Sequence, residues 1–151
     1  MKYFNTAGPV RPEKHYTIDI LGRINLEEII MLIEQEKYFI LHAPRQTGKT
    51  SLLLALRDYL NNEGKYYCVY VNVEEAQTAR DEVDRGIKTI LSALNQEIRF
   101  SHRNLISKFP YYNNFADRVP ADGLLSETLN QFSLNLDKPL IFFIDEIDSL
   151  V

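Results

Sequence analysis

Hydrophobic and polar positions follow two different periods along this chain, and the changes of period mark its elements. Leu26, Ile29, Ile30 and Ile33 recur at helical steps, with Asn25 placed as an N-cap and Glu27 and Glu28 in the first turn. This predicts a helix to about Gln35. Tyr38, Phe39, Ile40 and Leu41 form an unbroken apolar run ended by Pro44, the mark of a first, buried strand. After a loop at residues 43–48, Leu52, Leu53, Leu56 and Leu60 place a second helix over residues 50–62, with Gly64 as its stop. Residues 66–73 are rich in β-branched and aromatic side chains and predict a second strand, reached by a strand-helix-strand crossover. From Asp81 onward, Val83, Ile87, Ile90, Leu91, Leu94 and Ile98 carry the cleanest helical period of the sequence. Leu125, Leu129, Phe132 and Leu136 outline one more helix, Asp137, Lys138 and Pro139 a turn, and residues 140–144 a third, apolar strand.

Two stretches break this rhythm. Residues 1–16 hold Gly8, Pro9 and Pro12 without an apolar period, and residues 1–20 read as an extended N-terminal arm. Residues 101–121, polar and aromatic with Pro110 and Pro120, make a connection longer than the roughly 12–15 residues usual in compact domains, and read as a partly helical surface insert. Helices alternating with buried strands set the class as α/β, in one domain over residues 21–151.

Composition narrows the function classes. With 151 residues, 45% hydrophobic and 25% charged, the chain has ordinary globular make-up and enough length for a core. A single cysteine, Cys68, forms no internal bridge and reads as a core residue. His15, His42 and His102 lack the spacing of zinc ligands. His42 reads as a hydrogen-bonded packing residue at the end of the first strand. The formal net charge of −4 and the lack of a Lys/Arg run disfavour nucleic acid as a partner. The longest apolar runs, such as residues 29–33 and 140–144, fall far short of the roughly 20 residues that span a bilayer, so no membrane span is expected. The first residues lack the apolar stretch of a secretory leader, and a cytoplasmic chain is expected.

The string Ala43-Pro44-Arg45-Gln46-Thr47-Gly48-Lys49-Thr50-Ser51 stands between a predicted strand and a leucine-faced helix. A turn opening onto a helix N-terminus aims free backbone N–H groups and about half a positive charge at one point. There Gly48 permits close approach, Lys49 adds a full charge for β and γ phosphates, and the Thr50 hydroxyl is placed to hold Mg²⁺. This resembles the Walker A P-loop, with Ala43 where that pattern carries glycine; Ala43 is therefore expected in an ordinary extended conformation. Downstream, Leu140-Ile141-Phe142-Phe143-Ile144-Asp145-Glu146 is an apolar strand ending in two acids, similar to a Walker B motif. Asp145 would hold Mg²⁺ and Glu146 would activate the attacking water.

With both motifs in place, the chain resembles P-loop NTPases of the additional-strand, catalytic-glutamate branch, and within it the AAA-like ATP-binding proteins related to AAA+ and STAND ATPases. The resemblance implies a three-layer α/β/α fold with a mainly parallel sheet of order 5-1-4-3-2. Leu21, Gly22 and Arg23 resemble the short Gly-Arg element which in that family lines the adenine pocket. The implied function is ATP binding and Mg²⁺-dependent hydrolysis driving a conformational switch, with Lys49 and Glu146 catalytic, Thr50 and Asp145 on the metal, and residues 21–23 and 43–51 on the nucleotide. The partner beyond ATP would be another protein or an oligomer. Because the sequence ends soon after Asp145, the family's sensor and arginine-finger regions fall outside it, and it reads as the N-terminal part of a longer, catalytically complete protein. Two other classes remain: a non-hydrolysing nucleotide-binding module presenting residues 101–121 to a partner, and a kinase-like P-loop phosphotransferase whose first and third strands would pair directly.

Overall fold

The first helix, α1 (Leu26–Glu34), opens as its sequence dictates: the Asn25 side-chain oxygen accepts the Glu28 backbone N–H at 3.3 Å. It closes in a Schellman turn without glycine. Glu36 takes φ +54°, the Lys37 N–H donates to the Leu32 carbonyl at 2.9 Å, and the Glu36 N–H donates to the Ile33 carbonyl at 3.0 Å. The computed structural model describes residues 1–6, 11, 13–16, 19–44, 46–79, 82–111 and 116–147. The chain divides into two units, Met1–Asn62 and Glu63–Val151.

In the first unit, α2 (Lys49–Glu63) buries Leu53, Leu56 and Leu60, leaves Leu52 half-buried, and ends at Gly64, whose φ of +73° is the left-handed conformation a helix stop requires. The stretch read as an arm folds back on itself. Tyr3 bridges to His15, whose Nδ1 accepts the Arg11 N–H at 2.9 Å, and the Phe4 and Tyr16 rings lie 5.1 Å apart.

The first predicted strand is not formed. Residues 38–41 have no strand conformation, and Tyr38 and Ile40 are fully or almost fully exposed, at 104% and 87%. An apolar run becomes a buried strand only where a neighbouring strand completes its ladder, and among the described residues no strand pairs with this segment. His42, expected to pack at that strand's end, is exposed for the same reason.

The second unit holds the sheet. Strands β1 (Tyr67–Asn72) and β2 (Leu140–Asp145) pair in parallel, in a register running from Tyr67 opposite Leu140 to Asn72 opposite Asp145. Cys68, Val69, Tyr70 and Val71 are all buried, as in a parallel strand covered on both faces. Val69, Val71, Phe142 and Ile144 share one face, where α3 (Val83–Ser101) contributes Ile90, Leu94 and Ile98 and α4 (Ala121–Leu134) contributes Leu125, Leu129 and Phe132. The buried line of α4 runs through Leu124, Thr128 and Phe132, one position away from the expected Leu125 and Leu129, which are half-buried. A threonine fits there because its hydroxyl donates to the Leu124 carbonyl at 2.8 Å.

The insert proves to be partly core. A 3₁₀ turn, Arg103–Lys108, places Leu105 and then Phe109 inside, and the Phe109 ring meets Phe132 edge-on at 5.1 Å. A polar clasp holds it to the turn before β2: Lys108 Nζ and Tyr67 OH both donate to Asp137 Oδ1, at 3.1 and 3.0 Å. The hydrogen bond from Lys108, with help from the Asp137 backbone and the Tyr67 phenol, holds the Asp137 carboxyl below its ordinary range. In turn the hydrogen bond to Asp137, then burial and the carboxylate's charge, push the Tyr67 phenol up.

Candidate functional site

The loop ahead of α2 has a defined backbone. Gln46 and Gly48 have φ of +60° and +83°, with Thr47 between them on the negative side. Alternation of φ sign along a loop is one of the backbone forms that can present consecutive N–H groups to an anion. The Thr47 hydroxyl pins the loop by donating to the Pro44 carbonyl at 2.7 Å, and the Gly48 carbonyl starts α2 by accepting the Leu52 N–H at 2.9 Å. Helix α2 therefore begins at Lys49, and Lys49, Thr50 and Ser51 form its half-buried first turn. At fifteen residues α2 is long enough for a full dipole at this end. Ala43 is half-buried and has no positive φ, so its methyl group meets no conformational penalty there. Arg45 lies outside the described residues.

Leu21, Gly22 and Arg23 form a single 3₁₀ turn started by Asp19, whose Oδ1 accepts the Leu21 N–H at 3.2 Å. Gly22 sits tight against that aspartate: an added Cβ would stand 3.2 Å from Asp19 Oδ2. The turn delivers Arg23 to the loop, with its Nη1 3.4 Å from where a Cβ on Gly48 would stand. Residues 23 and 48 are thus brought together within the first unit, and a guanidinium joins the positive end of α2.

At the carboxyl end of the sheet, Asp145 is 1% exposed. Its Oδ1 accepts the Glu146 N–H at 3.0 Å and its Oδ2 accepts the Tyr70 hydroxyl at 3.1 Å. Its main-chain carbonyl accepts the Val73 N–H at 3.1 Å, extending the ladder past β1. Next to it Asn72 accepts the Glu74 N–H at 2.8 Å, which turns the chain sharply out of the sheet. Glu146 is half-buried and has φ of +60°, a conformation costing a non-glycine residue about 1–3 kcal/mol. Such a cost at the residue after a buried carboxylate marks a place where orientation outweighs relaxation. Asp148 lies outside the described residues.

Tyr70 is the residue that reading the sequence overlooked. Its signal was the register: once β1 and β2 pair in parallel, Tyr70 faces Phe143, and Asp145 lies two residues further along the same face. Tyr111 is exposed, its hydroxyl 3.4 Å from Arg99 Nη2, and Tyr112 lies outside the described residues. Away from these residues, a cleft of about 450 Å³ runs along α3 between Glu75, Glu82, Arg85, Lys88 and Gln96. Its charges are largely satisfied among themselves, Lys88 with Asp84 at 2.6 Å and Arg85 with Glu82 at 4.0 Å.

A parallel strand pair backed by helices, with carboxylates where the strands end, defines a mixed α/β chain. The family model described as Nephrocystin 3, N-terminal, matches residues 24–150, and the chain belongs to that family. It is in general a family of NTPase-containing proteins. No curated protein and no solved structure matches the chain. Among the described residues no helix is long and apolar enough to cross a membrane.

Proposed function

We propose that this chain binds ATP with Mg²⁺ and that, in the complete protein, it hydrolyses ATP to drive a conformational switch. The observation that carries the reading is the loop of residues 46–50: φ of alternating sign at Gln46, Thr47 and Gly48 leading directly into a long helix at Lys49. That backbone binds polyanions through N–H groups and the helix dipole, without any particular side chain. Lys49 adds the ammonium charge, and Arg23 beside Gly48 adds a second cation. The fold that goes with this reading is the three-layer P-loop architecture of order 5-1-4-3-2. The pairing of β1 with β2 supports it, because that order sets the second and third strands side by side.

Taken one by one, the donors have the chemistry that Mg²⁺ takes. Among the described residues no three His, Cys, Asp or Glu side chains converge as a metal cage. Mg²⁺ asks for no cage: one or two protein oxygens, water and phosphate oxygens suffice, and Thr50 and Asp145 are donors of that kind. When bound, Mg²⁺ neutralises charge on the β and γ oxygens. Asp145 supplies a fixed carboxylate for the ion's water shell. Glu146 supplies a half-buried carboxylate to orient the attacking water and take its proton.

Calorimetry with ATP tests this. Lys49→Ala removes a charge-assisted hydrogen bond worth about 1.5–3 kcal/mol, so affinity should fall roughly ten-fold to a few hundred-fold. Glu146→Gln in the full-length protein should keep ATP bound and stop turnover. Equal affinity in Lys49→Ala and the unaltered chain overturns the reading.

A further inference from the structure

We propose that Tyr70 is a positioning residue for Asp145, holding its carboxylate in the orientation that receives a divalent ion; this rests on the reading above. A carboxylate this deeply buried is tolerated only when its oxygens are hydrogen-bonded. Here the two oxygens are held by groups of different origin. Oδ1 is fixed from within the same strand end, by the Glu146 N–H at 3.0 Å, and Oδ2 from the neighbouring strand, by the Tyr70 hydroxyl at 3.1 Å. Two donors on two oxygens set the plane of the carboxylate and leave it no free rotation about its last torsion. Tyr70 is itself 9% exposed and stands opposite Phe143 in the strand register. The Tyr70 hydrogen bond ties the Glu146 backbone, through Asp145, to β1. A shift of one strand against the other would therefore turn both acids together.

Groups that orient a metal ligand from behind typically cost ten- to a hundred-fold in metal affinity when removed. Tyr70→Phe keeps the ring and removes only the donor. The test measures Mn²⁺ binding to the ATP complex by electron paramagnetic resonance, ATP binding in EDTA, and melting temperature. The expected result is a roughly ten- to hundred-fold weaker Mn²⁺ affinity with unchanged ATP affinity in EDTA. Unchanged or tighter Mn²⁺ affinity overturns the proposal. Asp145→Asn separates the two readings: if it loses Mn²⁺ while Tyr70→Phe retains it, the positioning role fails and the nucleotide reading stands. If the unaltered chain binds no ATP, both fail. Should Tyr70→Phe not fold, fluorine NMR of the chain carrying 3-fluorotyrosine takes its place. Bound Mn²⁺ should then broaden one of the nine tyrosine resonances beyond detection, and retention of all nine overturns the proposal.

Discussion

Gly48 and Gly64 flank α2, both with φ far on the positive side, at +83° and +73°, and only one of them belongs to the proposed nucleotide loop. Alanine at either position carries a strain of about 1–2 kcal/mol for the left-handed backbone. It recovers roughly 0.4–1 kcal/mol by restricting the unfolded chain. The net loss is about 1 kcal/mol at each site. Space does not alter this balance, since a Cβ at Gly64 meets nothing within 4 Å and one at Gly48 meets Arg23 Nη1 at 3.4 Å, an ordinary contact with the end of a flexible side chain. With a urea dependence of about 1–3 kcal/mol per molar, each variant should unfold roughly 0.3–1 M earlier. Function should separate them. Relief of strain at residue 48 rotates the peptide planes whose N–H groups would face the phosphates in the proposed complex, and a loss of one well-aligned bond to a charged group, about 1.5 kcal/mol, is already more than ten-fold in affinity. Gly48→Ala should therefore weaken ATP binding at least ten-fold in calorimetry, while Gly64→Ala leaves it within two-fold. Equal ATP affinity in the two variants, with equal destabilisation, would refute the argument that this backbone binds phosphate.

Phe132→Ala removes a fully buried ring at the centre of the second unit, together with its edge-on contact to Phe109, and should cost about 3–5 kcal/mol in denaturant unfolding. Asn25→Ala removes the α1 cap and should cost about 1 kcal/mol by the same measurement, whereas Asn25→Asp, which keeps the acceptor, should cost little. The Asp137 clasp makes stability depend on pH at both extremes. Because the folded-state pKa of Asp137 is depressed, its contribution is present above the usual carboxylate range and is lost as pH falls through the lowered value. Because that of Tyr67 is raised, its contribution is present below pH about 10 and is lost as pH rises through the raised value. In Asp137→Asn the Tyr67 phenol should titrate lower, toward an ordinary tyrosine, as followed by NMR of its ring; an unmoved titration removes the clasp from the explanation.

The helices were legible in the sequence because the signals that set them lie close along the chain. α1, α2 and α3 stand within a residue or two of their expected bounds, because helix faces and caps are local signals: Asn25 for α1, Gly64 for α2, and the spacing of Ile90, Leu91, Leu94 and Ile98 for α3. β1 and β2 were legible because their apolar runs do find each other. Residues 38–41 carry an equally apolar run, yet a strand is a property of two segments, and no periodicity reports whether the second is present. The insert was misjudged for a related reason: Leu105 and Phe109 are four residues apart, too short a stretch to register as a period, although both are core. At the site, the sequence exposed the residues with chemistry of their own, Gly48, Lys49, Asp145 and Glu146. It could not expose Arg23 beside Gly48, or Tyr70 behind Asp145, because those relations depend on a turn geometry and a strand register that appear only on folding.

The two strands that bring Tyr70 to Asp145 are far apart along the chain, their bonded side chains separated by 75 residues. At synthesis rates of about 5–20 residues per second, β1 waits roughly 4–15 s on the ribosome before β2 has been made. Through that interval a valine- and tyrosine-rich edge is open to the strands of other nascent chains. Helix α3 is translated directly after β1, so its Ile90, Leu94 and Ile98 are the first partners available to the Val69 and Val71 face, while the ladder groups of β1 stay open until β2 is made.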